Sequence, residues 1–481
     1  MTSRPAPGAA LALAVPVGIA VFALAWLYGG PSAGDDTFIY MRYVRSFLAG
    51  HGFVFNPGEA STGVTSTLWA FLMAGIARVA GNTLPVYKAV GTLLFALACA
   101  LLAAMLRRRE LPAGAALGLA SLVALEPHTL RWAASGMENG LAVLALVAAA
   151  RCFTAPRVSP AGGLLAGLLP FARPELGLYS AGAVSLALLR RERRALLLAA
   201  AAAATGLALA AAVYVAFGAL LPQTAAAKAL FLHQQVPWYA VVQSLKILLS
   251  GALPSLALLV FTLRSGSPQV RTWGLLTLVA LGTTILYLGA RNHLISTRYG
   301  TVLSGPVVLA AVLLSADRWS RGRLPRGHIA ALLLQAALSL ALLVRTYPAT
   351  RVAEHEEIQK VADFVAARIE PGARVALTEI GAFGFASDVY IIDLVGLTDR
   401  ETLGWGRTHG PLRSTADLEK LLLHRRADIY IDAFAGPTPI QGTRLRFEAL
   451  GEIPVRRRNL SSGRIVPDLW RVYRLHPAAS P

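Results

Sequence analysis

Two adjacent aspartates, Asp35 and Asp36, follow the first long apolar run of the chain, residues 10–29. That run is long enough to cross a bilayer, which places the pair at a membrane surface. Neighbouring carboxylates repel each other, so the pair is expected where a cation or a chemical step needs it. A carboxylate there can accept the proton of an attacking hydroxyl. The alternative is a solvated loop in which the aspartates cap a helix.

Other polar stretches between apolar runs carry further acids and bases. Arginine and lysine there can bind a phosphate and stabilise it as a leaving group. With a carboxylate base, they suit transfer of a sugar from a lipid phosphate whose tail lies in the bilayer. The structural alternatives are headgroup contact, a helix cap, a snorkelling side chain or a turn. The candidates for substrate contact are Arg42, Glu59, Glu138 and Glu175, and those for the donor phosphate are Lys228, Arg298 and Arg173.

The composition is that of a membrane protein. Of the 481 residues, 55% are hydrophobic and 15% are charged, whereas a soluble domain carries about 25% charged residues. The net charge of +19 does not indicate nucleic-acid binding, because the basic residues form short clusters between apolar runs. Such clusters, at 107–109, 190–194 and 318–326, mark cytoplasmic loops. The two cysteines, Cys99 and Cys152, indicate no disulfide framework or metal cluster.

The basic clusters orient the predicted membrane spans. We expect about eleven spans, with the N-terminus in the cytoplasm and the loop 30–66, which holds both aspartates, on the outer side. The N-terminal run is expected to stay as an anchor, since no clear cleavage site follows it. The predicted apolar runs are 10–29, 84–106, 113–128, 138–152, 160–189, 195–217, 241–263, 272–290, 299–315 and 327–345.

The run 160–189 needs a break in its middle. As one helix it would put the basic cluster at 190–194 outside, and its centre, PFARPELG (170–177), holds two prolines, an arginine and a glutamate. Polar, proline-broken backbone at membrane depth is tolerated only against protein or a wet cavity. We therefore predict two short helices that enter and return, with Arg173 and Glu175 as an ion pair near the outer side.

The chain from about residue 350 has mixed polarity and an ordinary charge density. Alternation of helical and strand patterns there favours a small α/β domain. Helices are predicted at 353–369 and 414–426, and strands around 371–381, 389–396 and 427–434.

The complete pattern predicts a polytopic α-helical membrane protein with a C-terminal soluble α/β domain. The transmembrane catalytic domain is expected to cover 1–349 and the α/β domain 350–481. The span count puts this α/β domain on the same side as Asp35. Its lack of cysteine is compatible with a bacterial periplasm but does not require it. We expect the bilayer to be the inner membrane of a bacterium, with the α/β domain on its periplasmic side.

The block DDTFIYMRYVRSFLAGHGFVFNPGE (35–59) resembles the first outer loop of glycosyltransferases with the GT-C fold. These are polytopic enzymes that use polyprenyl-phosphate sugars. Within that superfamily the chain resembles the bacterial branch of terminal arabinofuranosyltransferases. The similarity continues in the same order in SGMEN (135–139), ARPE (172–175), LPQTAAAK (221–228), TRYGTVLSGP (297–306) and IIDLVGLTDRE (391–401).

The resemblance implies a polyprenyl-phosphate sugar as donor and inversion at its anomeric carbon. It implies that one aspartate of the pair deprotonates the acceptor hydroxyl while lipid phosphate leaves from the opposite face. We favour Asp35 as this base, with Asp36 in support or in contact with the acceptor or a cation. The sequence departs from the branch at ASTGVTS (60–66), which lacks its acid and Tyr, and at Gln223, which replaces Asn. The sugar and the acceptor, a cell-envelope glycan, lipid or protein, therefore stay open.

A transporter or flippase of lipid-linked sugars is the alternative class. It would share the polar cavity and the outward carboxylates, but transporters often show paired halves with matching broken helices. One broken segment and an unpaired α/β tail favour the enzyme. A scaffold or receptor would leave the polar groups of the outer loops unexplained. Two aspartates can hold a divalent cation, but spacing fixes no further ligand, so no cofactor is assigned.

Overall fold

A computed structural model describes residues 7–155, 160–190, 193–322, 324–370, 372–433, 439–458 and 465–477. Parts of the basic clusters at 190–194 and 318–326, and single residues of the predicted segments 371–381 and 427–434, lie outside the described residues.

Apolar helices make up most of the chain before residue 350, because a helix satisfies its own backbone polar groups where no water is available. They are α1 (Pro7–Gly29), α2 (Asp35–Leu48), α3 (Thr67–Ala80), α4 (Leu84–Arg108), α5 (Ala113–Ala124), α6 (Pro127–Ala133), α7 (Asn139–Phe153), α8 (Pro160–Ala172), α9 (Gly177–Arg190), α10 (Arg193–Phe217), α11 (Thr224–Phe231), α12 (Tyr239–Thr262), α13 (Pro268–Arg291), α14 (Ser304–Ser320) and α15 (Arg326–Thr346). Short 3-10 turns occupy Pro174–Leu176, Leu263–Ser265, Thr297–Thr301 and Tyr347–Arg351.

Several of these helices can cross a membrane. Among the described residues, seven helices are long and apolar enough, or eight if α5 and α6, which meet at 71°, form one bent span. The prediction of a polytopic helical membrane protein is thus confirmed. The remaining predicted spans correspond to α7, α8 and α9, with 15, 13 and 14 residues. They are shorter than the roughly 20 residues of a straight crossing.

The predicted break in the run 160–189 is present. Helix α8 ends at Ala172, a 3-10 turn covers Pro174–Leu176, and α9 begins at Gly177. Pro174 has no N–H to continue a helix, and Arg173 before it has an extended backbone (φ −158°, ψ 136°). Because α8 packs against α7, α9 and α10, protein surrounds the break, as irregular backbone at membrane depth requires.

The chain after residue 350 forms the predicted α/β structure, which we call the C-terminal unit (354–477). The sheet order is β2-β1-β3-β5-β4; β1 is parallel to β2 and β3, whereas β5 is antiparallel to β3 and β4. The sequence predicted β1, β2 and β3 but not the long β4–β5 hairpin. The elements are α16 (Glu354–Ala366), β1 (Arg374–Leu377), α17 (Ile380–Ala386), β2 (Tyr390–Asp393), α18 (Arg400–His409), α19 (Thr415–His424), β3 (Ile429–Asp432), β4 (Leu445–Arg458) and β5 (Ile465–Pro477).

A shared apolar core joins the C-terminal unit to α2. Phe38 and Tyr43 of α2 and Phe217 at the end of α10 lie in one buried cluster with Val375 and Ile391 of the sheet. Helix α17, which follows β1, packs directly on α2. This packing places the carboxyl ends of β1 and β2 beside the two aspartates.

Candidate active site

The loop between α1 and α2 sets the position of the aspartate pair. The Lys88 ammonium donates hydrogen bonds to the carbonyl oxygens of Gly30 and, at 2.8 Å, of Ser32. These bonds fix the chain just before α2. Asp35 and Asp36 then form the first turn of α2, where the positive end of the helix dipole stabilises carboxylates.

Asp35 reaches from α2 to the backbone of α17. Its Oδ2 accepts the N–H of Gly381 at 3.0 Å, and its Oδ1 accepts the N–H of Ala382 at 2.8 Å. A side chain at position 381 has no room, because its Cβ would strike the backbone carbonyl and the carboxylate of Asp35. The C-terminal unit therefore holds the Asp35 carboxylate directly.

The surroundings of Asp35 favour its protonated form. Burial and the negative charge of Glu379, with a smaller contribution from Asp36, raise the pKa of Asp35 to about 8, although the two backbone N–H groups act in the opposite direction. Protein encloses the carboxyl group on most sides, and the rest of it faces a cavity. A carboxylate with a pKa near neutral pH suits a general base, because it is a strong proton acceptor once it is ionised.

Asp36 faces opposite charges. Its carboxylate accepts a hydrogen bond from Nη1 of Arg298, and the two groups form an ion pair. Burial would raise the pKa of Asp36, but the positive charges of Arg298 and Lys228 outweigh it and hold the pKa below its usual value. Asp36 is thus ionised and engaged with a cation, and Asp35 is the stronger base of the pair.

Lys228 lies on α11, whose start is fixed by Gln223. The Gln223 side chain accepts the N–H of Thr62 at 3.3 Å and donates to the carbonyl of Gly396 at 3.0 Å. It therefore joins the loop 30–66 to the C-terminal unit. Burial and nearby positive charges lower the pKa of Lys228 to about 8. Within the part of the chain that the structure describes, no hydrogen bond holds its ammonium group, so it can take up an anion.

The aspartate pair, Lys228 and Arg298 line one cavity of about 410 Å³ between the membrane helices and the C-terminal unit. The loops after β1 and β2 form much of the opposite wall. The carboxyl ends of parallel strands are where open α/β sheets usually bind ligands. The C-terminal unit contributes Glu354, His355, Thr378, Glu379, Val395, Leu397 and Trp470 among others.

Sequence reasoning missed this second wall, including Glu379. A signal was present, since TEIG (378–381) directly follows a buried strand and starts a helix. The sequence alone does not show that α17 packs on a helix more than 300 residues earlier in the chain. That contact makes the strand end part of the site.

Arg173 lies close to the site but is already paired. It is only 2% exposed, with Nη1 2.7 Å from Oε1 of Glu138 and Nη2 3.3 Å from Oε1 of Glu175. The predicted pair with Glu175 is thus present. Buried charges are stable only when paired, and Arg173, Glu138 and Glu175 do not line the cavity. The structure therefore does not support a phosphate contact for Arg173 or substrate contacts for the two glutamates.

Arg42 and Glu59 also lie outside the cavity. Arg42 is buried and donates from Nε to the carbonyl of Phe55 at 2.8 Å and from Nη2 to the carbonyl of Val389 at 3.0 Å. Glu59 accepts a hydrogen bond from the Tyr390 hydroxyl. Both side chains join the loop 30–66 to the C-terminal unit. Their observed contacts are with protein, and the predicted contact with substrate stays a prediction.

The two aspartates do not fit a divalent-cation site. Such a cation takes about six oxygen ligands, whereas Asp36 is paired with Arg298 and Asp35 accepts two backbone N–H groups. No group of three or more His, Cys, Asp and Glu side chains that could hold a metal occurs among the described residues. The proposed role of the aspartates therefore involves no metal ion.

The close approach of Gly381 to Asp35 gives a first prediction. The substitution Gly381→Ala should lower the rate of the reaction that depends on Asp35 by on the order of 10²-fold, because a displacement of about 1 Å at a reacting group can cost that much. The new Cβ would displace the Asp35 carboxylate from its present position. Turnover by the purified variant in lipid measures the effect.

Gly404→Ala is the matched control for this prediction. Gly404 lies on α18 of the same unit, and a Cβ there would meet no atom within 4 Å. The control should keep parental turnover and thermal unfolding, whereas Gly381→Ala should also unfold at a lower temperature, because its Cβ meets the backbone carbonyl of Asp35. Full turnover in Gly381→Ala would show that the position of Asp35 does not matter.

One domain family and two sequence relatives match parts of this chain. A domain of unknown function (DUF8728) matches residues 347–470. The chain is 33% identical to the terminal beta-(1->2)-arabinofuranosyltransferase of Mycobacterium tuberculosis over 44% of the chain and 38% of that relative. It is 30% identical to the enzyme of the same name from Corynebacterium glutamicum over 40% of the chain and 32% of that relative. The chain thus spans about a third of the length of the curated relatives that it matches.

A solved structure shares the fold along almost the whole chain. The crystal structure of ArnT from Cupriavidus metallidurans bound to undecaprenyl phosphate has a TM-score of 0.54 and covers 98% of this chain and 99% of ArnT at 13% identity. These matches confirm the resemblance drawn from the sequence motifs. The chain has the fold of ArnT along almost its whole length, and part of its sequence is similar to terminal arabinofuranosyltransferases.

Proposed function

We propose that the chain is a membrane glycosyltransferase that moves a sugar from a polyprenyl-phosphate donor to a hydroxyl group of a cell-envelope glycan, lipid or protein. The observation that carries this proposal is the cavity in which a basic carboxylate, Asp35, faces Lys228 and Arg298. The relatives named above are transferases, and ArnT binds undecaprenyl phosphate, which supports the same donor class here.

The cavity offers a group for each part of an inverting displacement. The acceptor oxygen attacks the anomeric carbon and forms the new glycosidic bond, while its proton passes to the Asp35 carboxylate. The bond between that carbon and the phosphate oxygen breaks, and the phosphate leaves with the electron pair. Lys228 and Arg298 stabilise the charge that develops on the leaving phosphate.

Asp36 has a different part in this proposal. Its ion pair with Arg298 orients the guanidinium toward the cavity before donor binds. A preorganised cation stabilises a developing charge without reorganisation at the moment of reaction. We therefore assign the base to Asp35 and the positioning of Arg298 to Asp36.

We further propose that the loop 30–66 and the α/β domain face the outer side of a bacterial inner membrane. The basic clusters between the spans support this orientation. The domain boundary at 349/350 stays a prediction, and the proposed site draws on residues from both sides of it.

A cysteine introduced at Gly404 should react with an impermeant label from the outer side of intact cells. Reaction only after the inner membrane is opened would contradict the orientation.

Lipid-linked sugar profiling tests the function in cells. A strain that lacks the protein should accumulate one polyprenyl-phosphate sugar, and one envelope component should lose a residue of that sugar. Both changes should persist when only the Asp35→Asn protein is supplied. An unchanged lipid and glycan profile would reject the proposed activity, and accumulation corrected by Asp35→Asn would indicate transport instead.

A further inference from the structure

A carboxylate of the C-terminal unit lies next to the proposed base. Strand β1 ends at Leu377, and the following residues, Thr378 and Glu379, line the cavity. Glu379 directly precedes α17, whose Gly381 donates its N–H to Asp35 at 3.0 Å. Glu379 thus lines the same cavity as Asp35 and lies two residues from the backbone N–H that binds it, although the two residues are more than 300 positions apart in sequence.

Two carboxylates confined in this way interact strongly. Like charges in a poorly solvated site disfavour ionisation of one another. After burial, Glu379 is the largest influence that raises the pKa of Asp35, and it exceeds that of the neighbouring Asp36.

We propose that Glu379 is a positioning residue that acts through Asp35: the C-terminal unit places its charge in the cavity that holds the base, next to the α17 backbone that binds Asp35. This inference rests on the proposed function for its consequence in turnover. The interaction between the two carboxylates is a separate claim that can be measured without any reaction.

The other charged and titratable groups around the cavity do not take this role. Lys228 on α11 and Arg298 before α14 act on Asp36. Glu354 and His355 lie at the start of α16 and line the cavity. Burial lowers the pKa of His355, so it adds no positive charge at neutral pH.

The charge of Glu379 has a defined consequence for pH dependence. A base works only when it is ionised, so turnover on the acidic side should rise as pH approaches the pKa of Asp35, about 8. At higher pH turnover should fall again, because the Lys228 ammonium, whose pKa is also about 8, loses its charge. Without the Glu379 charge, the pKa of Asp35 falls. The acidic limb of the pH–rate profile in Glu379→Gln should therefore move to lower pH by roughly one pH unit or more. A purely structural role of Glu379 would lower turnover equally at every pH.

Infrared titration of the carboxylic-acid C=O band tests the interaction directly in the purified protein without substrate. The Asp35 band is assigned by its loss in Asp35→Asn. In the parent it should persist to about pH 8, and in Glu379→Gln it should disappear at lower pH. Glu379→Asp, which keeps the charge, should titrate close to the parent. If the glutamine variant does not fold, Glu379→Ala removes the same charge.

Glu356→Gln is the matched control, because it removes a carboxylate from the same unit at an exposed position outside the cavity. Its Asp35 band should titrate as in the parent. An unchanged band in Glu379→Gln or Glu379→Ala would overturn the inference whatever the activity of the protein. A shifted band in a protein that transfers no sugar would support the inference and reject the proposed function.

Discussion

Replacement of Asp35 by asparagine is expected to abolish sugar transfer while the protein stays folded. The amide keeps the size of the side chain but cannot accept the proton of the acceptor hydroxyl. Loss of a general base typically costs on the order of 10²–10⁴-fold in rate. The measurement is single-turnover release of polyprenyl phosphate by the purified variant in lipid, with donor binding determined on the same sample.

Two further variants make the result specific. Asp388→Asn removes a carboxylate that is 95% exposed and contacts only Arg45 among the ion pairs described, so it should transfer at the parental rate. Asp36→Asn should lose donor affinity, because Arg298 would no longer be held. Near-parental transfer by both Asp35→Asn and Asp36→Asn would eliminate the pair as the source of the base.

Removal of Lys228 is expected to weaken donor binding by roughly tenfold or more. A hydrogen bond to a charged group contributes about 1.5–3 kcal/mol, and the Lys228 ammonium has no hydrogen bond within the described chain that would compete with a phosphate. Lys228→Ala should therefore raise the dissociation constant for the lipid-phosphate donor and leave acceptor binding close to the parent. Equilibrium binding of labelled donor in nanodiscs measures both.

Arg298 and Lys420 supply the comparisons for this prediction. Arg298→Ala should also weaken donor binding, but it leaves Asp36 without its ion pair, so its effect includes a change in Asp36. Arg298→Lys should recover only part of the loss if the guanidinium donates two parallel bonds to phosphate. Lys420→Ala, at an exposed position on α19, should bind as the parent does. Loss of acceptor affinity alone in Lys228→Ala would assign Lys228 to the acceptor side.

The sequence predicted those features that depend on residues close together in the chain. Hydropathy and basic clusters predicted the membrane helices, and prolines around Arg173 predicted the break between α8 and α9, because both depend on residues close together in the chain. Asp35, Asp36, Lys228 and Arg298 were predicted as site residues, and all four line the same cavity.

The sequence was less informative where distant segments meet. Arg42 was predicted to contact substrate, but it donates to the carbonyl of Val389, a partner that no local pattern reveals. Glu138 was expected to face substrate and instead pairs with Arg173 in a buried position. Glu379 was not predicted because Asp35, which lines the same cavity, lies more than 300 residues earlier in the chain. Charge and polarity indicate that a residue needs a partner, whereas the fold decides which partner it has.

The most direct measurement supplies purified protein in lipid with a panel of polyprenyl-phosphate pentoses and hexoses and an envelope extract as acceptor. With one of these donors, the parent should release polyprenyl phosphate in step with sugar incorporation into the acceptor. The Asp35→Asn variant should bind that donor and release none. Release by Asp35→Asn at the parental rate, or movement of intact donor across the bilayer without cleavage, would contradict the assignment of Asp35 as the base of a glycosyltransferase.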